Sequence, residues 1–239
     1  MKIKIVLSVF LSLALSSASL AQSKWDKSIA KAEALYVTGA YGKAKSALEK
    51  FKKKVNAKLG AQNQYTPTIF FLQAKYDLAS GMPLDFENNL RDALSANRTL
   101  NTEHSEKYGT MLMDAAELFI LNGSFRVAKE YLGNAKKILE GGDYMKEPMK
   151  ARWDILMAEA LAGQGFWNES IALARGQEIY YAKRAVKQET VSDGKGGLAS
   201  RKIPPAELDQ RFNEYARLLT LLGNAYGRQG NLQIGRAHV

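Results

Sequence analysis

The chain offers few residues from which an active site could be built. It has no cysteine and only two histidines, His104 and His238. Thiol nucleophiles, thiolate metal sites, cysteine-protease dyads and multi-histidine zinc sites are therefore excluded. The run Gly194-Lys195-Gly196-Gly197 has the glycines of a phosphate loop. It lacks the Gly-Lys-Ser/Thr ending and no helix is expected directly after it, so it reads as an ordinary loop. Glu33, Glu117 and Glu159 are expected on solvated helix faces, and no spacing pairs them as acid and base. His104 falls in a polar connection, as a solvated or capping side chain. No catalytic residue, metal or cofactor is expected in this segment.

The other chemical feature is charge. The 239 residues carry a formal +10, a balance that favours acidic partners, nucleic acid or anionic headgroups. Lys43, Lys45, Lys50, Lys52, Lys53, Lys54 and Lys58 crowd one stretch. On a helix they cover the polar side while Leu48, Phe51 and Val55 turn to the core. A solvated outer face is expected, with weak contact to an anionic surface as the alternative. Tyr36, Tyr41, Trp167 and Tyr226 read as packing between helices rather than as base-stacking platforms.

The elements that would position these residues repeat. Gly39, Gly81, Gly123 and Gly165 are each 42 residues apart, and Gly230 follows after 65. Each separates two stretches with apolar residues at helical spacing. In the clearest unit, Leu112, Ala116, Phe119 and Ile120 share one helix face. Asn122-Gly123-Ser124 ends that helix, Ser124 is the expected N-cap of the next, and Phe125, Ala128, Leu132, Ala135 and Leu139 form its apolar face. The same grammar runs through Ala32, Leu35, Tyr41, Ala44 and Leu48; through Ala74, Asp77, Pro83, Phe86 and Leu90; and through Ala158, Leu161, Trp167, Ser170 and Ala174. A fixed period of this size predicts an all-α fold, an α-solenoid of antiparallel helix pairs, right-handed in the family that the pattern resembles.

The pattern resembles a family. Leu219, Leu222, Gly223 and Tyr226 resemble the first-helix signature of the tetratricopeptide repeat (TPR), with Leu in place of its Trp. Gly39/Tyr41/Ala44 and Gly123/Phe125/Ala128 resemble its interhelix turn. A 42-residue spacing is similar to the longer kinesin-light-chain-like subtype. Glu103-His104-Ser105 stands where that subtype often has an acidic-His-Pro sequence, with Ser105 departing from the Pro. Phe86 and Ser170 likewise depart from the small Ala. HEAT-type helical repeats have similar length and stay open as the alternative fold.

The domain reading follows from these boundaries. Residues 1–21 look like an export signal: Lys2 and Lys4, an apolar run from Ile5 to Leu15 too short to span a bilayer comfortably, and small residues before a cut after Ala21. Four TPR-like repeats are expected over 22–187, and a flexible insertion or short hairpin over 188–204. Residues 205–233 read as the first helix of a truncated fifth repeat. Ile234-Gly235-Arg236-Ala237-His238-Val239 matches the translation of a common sequencing adapter, so 234–239 is expected to be foreign and the remainder the N-terminal part of a longer protein. Without Lys2, Lys4 and Arg236 the charge falls to +7.

The resemblance implies a function. In tetratricopeptide arrays the first helices line an inner groove that holds a peptide or a partner helix. Counting back from each turn glycine places Glu33, Tyr36, Phe71, Lys75, Met113, Glu117, Arg152, Glu159, Arg217, Asn224 and Arg228 on that concave face. The row mixes both signs with apolar anchors, which suits a protein or peptide better than nucleic acid. The expectation is an exported scaffold, periplasmic or secreted and bacterial, meeting a membrane only through its transient signal. The alternative is the docking or sensor arm of a larger peptidase-like or signalling enzyme with its catalytic domain beyond Gln233.

Overall fold

The computed structural model describes residues 24–186, 188–192 and 198–228. The expected export signal, the glycine run 194–197, Gly230 and the final six residues lie outside them. The chain divides into two compact units, one ending at Met111 and the other beginning at Leu112.

The first unit holds α1 (Lys24–Val37), α2 (Tyr41–Leu59), α3 (Thr66–Ala79) and α4 (Pro83–Asn101). Ala32 and Tyr36 of α1, Ala44, Leu48, Phe51 and Val55 of α2, and Ile69, Leu72 and Tyr76 of α3 make one buried cluster. Leu48, Phe51 and Val55 face inward as their spacing predicts, and the lysines between them stay at the surface or partly so. Phe86, in the place of a small alanine, is completely buried.

A single helix, α5 (Glu106–Leu121), runs through the point where the units divide. Ser105 accepts a hydrogen bond from the Tyr108 backbone N–H at 3.2 Å. It thereby caps α5 where the kinesin-light-chain-like pattern would have used proline.

The second unit continues with α6 (Phe125–Gly141), α7 (Met149–Gly163), α8 (Trp167–Arg184), a hairpin of β1 (Gln188–Ser192) and β2 (Leu198–Lys202), and α9 (Pro205–Arg228). Its core joins Ala151, Ile155 and Ala158 of α7, Ile171, Ala174 and Tyr181 of α8, and Leu218, Leu222 and Tyr226 of α9. The two strands pair antiparallel, Gln188 opposite Lys202 and Ser192 opposite Leu198. Arg211 on α9 bridges Glu189 of the hairpin at 2.8 Å and Glu207 at 2.5 Å, and Arg201 adds contacts to both carboxylates. These arginines hold the Glu189 carboxyl below its usual range, mainly through their hydrogen bonds.

The turns repeat in atomic detail. Gly39, Gly81, Gly123 and Gly165 all take positive φ, between 72° and 85°. The residue after each glycine donates its N–H to a carbonyl five residues back: Ala40 to Leu35, Met82 to Asp77, Ser124 to Phe119 and Phe166 to Leu161, all at 2.8–2.9 Å. This Schellman arrangement satisfies carbonyls that a helix end leaves orphaned. Ser124 departs from expectation: its side chain makes no capping bond to α6. Its hydroxyl oxygen instead accepts from the Asn122 side-chain amide at 3.3 Å, and the turn glycine rather than a serine cap sets the geometry.

Candidate functional site

The inner-row residues do not all face solvent. Tyr36, Phe71, Lys75, Met113 and Glu117 are buried, whereas Asn224 and Arg228 are exposed and Glu33, Arg152, Glu159 and Arg217 are intermediate. The buried five are enclosed within the protein. Tyr36 stacks on Tyr76 with ring centroids 5.2 Å apart, and the Lys75 ammonium lies 4.5 Å from the Tyr36 ring centre. Burial raises the Glu33 carboxyl, opposed by the Lys75 charge, and pushes the Tyr36 hydroxyl up to about 12.

In the second unit the inner row closes into one ionic network. The Arg152 guanidinium of α7 donates to Asp114 at 2.6 Å and to Glu117 at 2.9 Å, both on α5. Arg217 of α9 reaches Glu117 at 2.6 Å and grips Glu159 of α7 through two nitrogens at 2.6 and 2.5 Å. Each arginine thus ties two carboxylates, and Glu117 is shared by both. Burial by itself would raise the Glu117 carboxyl, but Arg217 and Arg152 outweigh it and hold it at about 2. Desolvation works against both guanidiniums too, and the carboxylates overcome it, so both are held above their ordinary range. Glu117, expected to be solvated, is instead a buried strut, charged at neutral pH.

The network is not sealed. The Arg217 side chain keeps 39% of its surface accessible and Arg152 keeps 21%. Thr220, Asn224 and Arg228 continue the α9 row as exposed residues. Hydrogen-bonding edges of a fixed charge ladder therefore meet solvent beside neutral and cationic side chains. This can recognise polar groups, but it holds no base free to take a proton. Among the described residues no cluster of His, Asp and Glu is arranged to hold a metal ion.

Asp114 was absent from the expected row. It lies three residues before Glu117, so the two share a helix face, and a search for acidic neighbours on that turn would have found it. Two other buried carboxylates were also missed as ion-pair centres. Asp77 accepts from Lys45 at 2.9 Å and from Asn89 at 2.7 Å. Asp154 accepts from Lys150 at 2.6 Å and Gln177 at 2.5 Å, beside a recess of about 260 Å³ between α6 and α7. Tyr36, Trp167 and Tyr226 pack between helices as expected.

No known family profile matches the chain, and no curated protein matches its sequence. Solved structures do match its fold. BtubC (BKLC) from P. vanneervenii superposes with a TM-score of 0.59 at 18% identity, covering 87% of this chain and 74% of that one. A putative kinesin light chain from Podosopora anserina, described as nearly identical TPR-like repeats, gives 0.60 at 15% identity over 89% and 90% of the two chains. A point variant of that repeat protein gives 0.57 at 16% identity over 92% and 97%. With paired helices, glycine turns and these likenesses together, the chain has the tetratricopeptide-repeat-like fold, an all-α solenoid of the kind seen in kinesin-light-chain-like repeats.

Proposed function

We propose that this protein is a scaffold that binds a protein or peptide along the inner row of the second unit, on α5, α7 and α9, without chemistry of its own in this segment. The observation that carries the reading is the ionic ladder across α5, α7 and α9, largely buried but open to solvent at Arg217 and Arg152. A prepositioned set of charged hydrogen-bonding groups costs little ordering entropy when a partner arrives. The ladder's mixed signs match the amides and side chains of an extended polypeptide. A polyanion such as nucleic acid would want a continuous basic stripe.

The buried members are poor probes, since changing them would disturb folding. The test uses the exposed end. Peptides selected from a displayed random library against the full chain are titrated calorimetrically against wild type, a double variant Asn224→Ala/Arg228→Glu, and the outer-face variant Lys137→Gln. Binding at least tenfold weaker in the double variant alone supports the reading. Equal binding by all three places the site elsewhere, and a library that yields no binder rejects it.

We further propose that the protein acts after export, in a periplasm or beyond. The support is the charged, apolar and small-residue order of residues 1–21. Mass spectrometry of the protein from its native host should find Gln22 as the first residue. A chain still beginning at Met1 overturns this.

A further inference from the structure

The positive charge of this protein is not spread along it. Residues 24–60, the first helix pair, carry ten lysines against three carboxylates, Asp26, Glu33 and Glu49. Residues 61–233 balance, with 21 basic and 21 acidic side chains. Between residues 24 and 233 the whole excess of +7 therefore belongs to α1 and α2.

Within that pair the structure sorts the signs by flank. The side of α2 that meets α3 holds Lys45, bonded to Asp77 at 2.9 Å. It also holds Glu49, which accepts from Gln73 at 2.5 Å, and Lys52, which donates to Gln73 at 3.4 Å and lies 4.7 Å from the Phe70 ring centre. On α1, burial raises the Glu33 carboxyl, opposed by the charge of Lys75 on α3. Lys43, Lys50 and Lys54 are spaced by seven and four residues, so they form one stripe on the other flank of α2, with Lys53 and Lys58 beside it. All five are exposed, as are Lys27 and Lys31, four residues apart on α1. Glu49 is the one acidic residue of α2, so no carboxylate interrupts the stripe. α2 thus turns a lysine-only stripe away from α3, and Lys27 and Lys31 add exposed positive charge on α1.

We infer that this face docks the protein on the surface of an anionic phospholipid bilayer. Two features choose the occupant. The cations are all lysine, compact point charges that suit a dense field of phosphates without the fork geometry by which arginine reads individual groups. The aromatic residues of the pair are turned inward: Trp25 packs on Phe51 and Tyr36 on Tyr41. The stripe therefore lacks the stacking platforms of a single-strand nucleic-acid groove. A sequence-tolerant, charge-only contact is what a lipid surface offers. An outer helix face needs polar residues for solubility, but mixed signs would serve that end.

The test is sedimentation of the full chain with vesicles of phosphatidylcholine alone or with phosphatidylglycerol, at low and high salt. A retained apolar N-terminus would bind both vesicle types regardless of salt, so the signal is the difference between them. Wild type is compared with Lys43→Gln/Lys50→Gln/Lys54→Gln and with Lys107→Gln/Lys137→Gln/Lys183→Gln, which removes equal charge from exposed sites elsewhere. The expected result is salt-sensitive binding to the anionic vesicles that falls about a hundredfold in the first variant and changes little in the second. Circular dichroism melts confirm that both variants fold. Absence of a lipid-charge effect in wild type, or equal losses in the two variants, overturns the inference. So does single-stranded DNA that displaces the vesicles and binds the stripe more tightly than they do.

Discussion

Glu117 shows how one side chain can be charged, buried and structural at once. Its carboxylate lies between two guanidiniums on different helices, and that pairing offsets the cost of removing it from water. Glu117→Gln leaves Arg152 and Arg217 without their shared acceptor charge, and should lower stability by about 3 kcal/mol in chemical denaturation. The pH dependence follows from the same pairing. Its pKa is depressed from 4.5 to about 2 in the folded state, so its contribution is complete above about pH 4.5 and is lost as pH falls toward 2. This amounts to about 3 kcal/mol at most, shared with its partners. The wild type should therefore lose stability steeply over that window, and the slope should flatten in the Gln variant. Parallel slopes would place the acid sensitivity elsewhere. Ser170 predicts the opposite sign. It is completely buried in an alanine position, and its hydroxyl has no partner among the described residues. Ser170→Ala should raise stability by about 1 kcal/mol, measured as a higher denaturation midpoint.

At the scale of the helix pair, the turn glycines carry the period. Gly123 has φ +77, and a Cβ there would meet nothing within 4 Å. The cost of Gly123→Ala is therefore backbone strain alone, roughly 1–2 kcal/mol, and Gly123→Asn should recover part of it because Asn tolerates that conformation. Gly163 is a different case. It lies within α7, and an added Cβ would sit 2.3 Å from the Phe125 ring of α6, so Gly163→Ala should cost roughly 1–3 kcal/mol through overpacking. Gly163→Ala combined with Phe125→Leu should recover part of that loss, whereas Phe125→Leu should not rescue Gly123→Ala. Thermal melts of the five variants separate strain from crowding.

Across a unit, cooperativity should follow the stacking order. In repeat arrays each element leans on its neighbours, so damage spreads from the site of injury. Leu218 of α9 is fully buried against the cluster it shares with α7 and α8. Leu218→Ala should cost about 2–5 kcal/mol. Hydrogen exchange should show α9 and α8 losing protection first, with α6 least affected. Uniform loss across the second unit would mean that it unfolds as a single block.

The repeat was legible in the residues because its cause is local. A left-handed turn needs glycine and an amphipathic helix needs its apolar spacing, so the period, the helix pairs and the interhelix packing of Tyr36, Trp167 and Tyr226 could all be read along the chain. The ionic ladder could not. Glu117 and Arg217 are 100 residues apart, and only the stacking of α5, α7 and α9 decides that a charge spaced like a solvated one is enclosed by two others. The lysine face has the same origin. The lysines of α2 look alike in sequence, and packing against α3 determines which of them meet carboxylates and which are left to solvent.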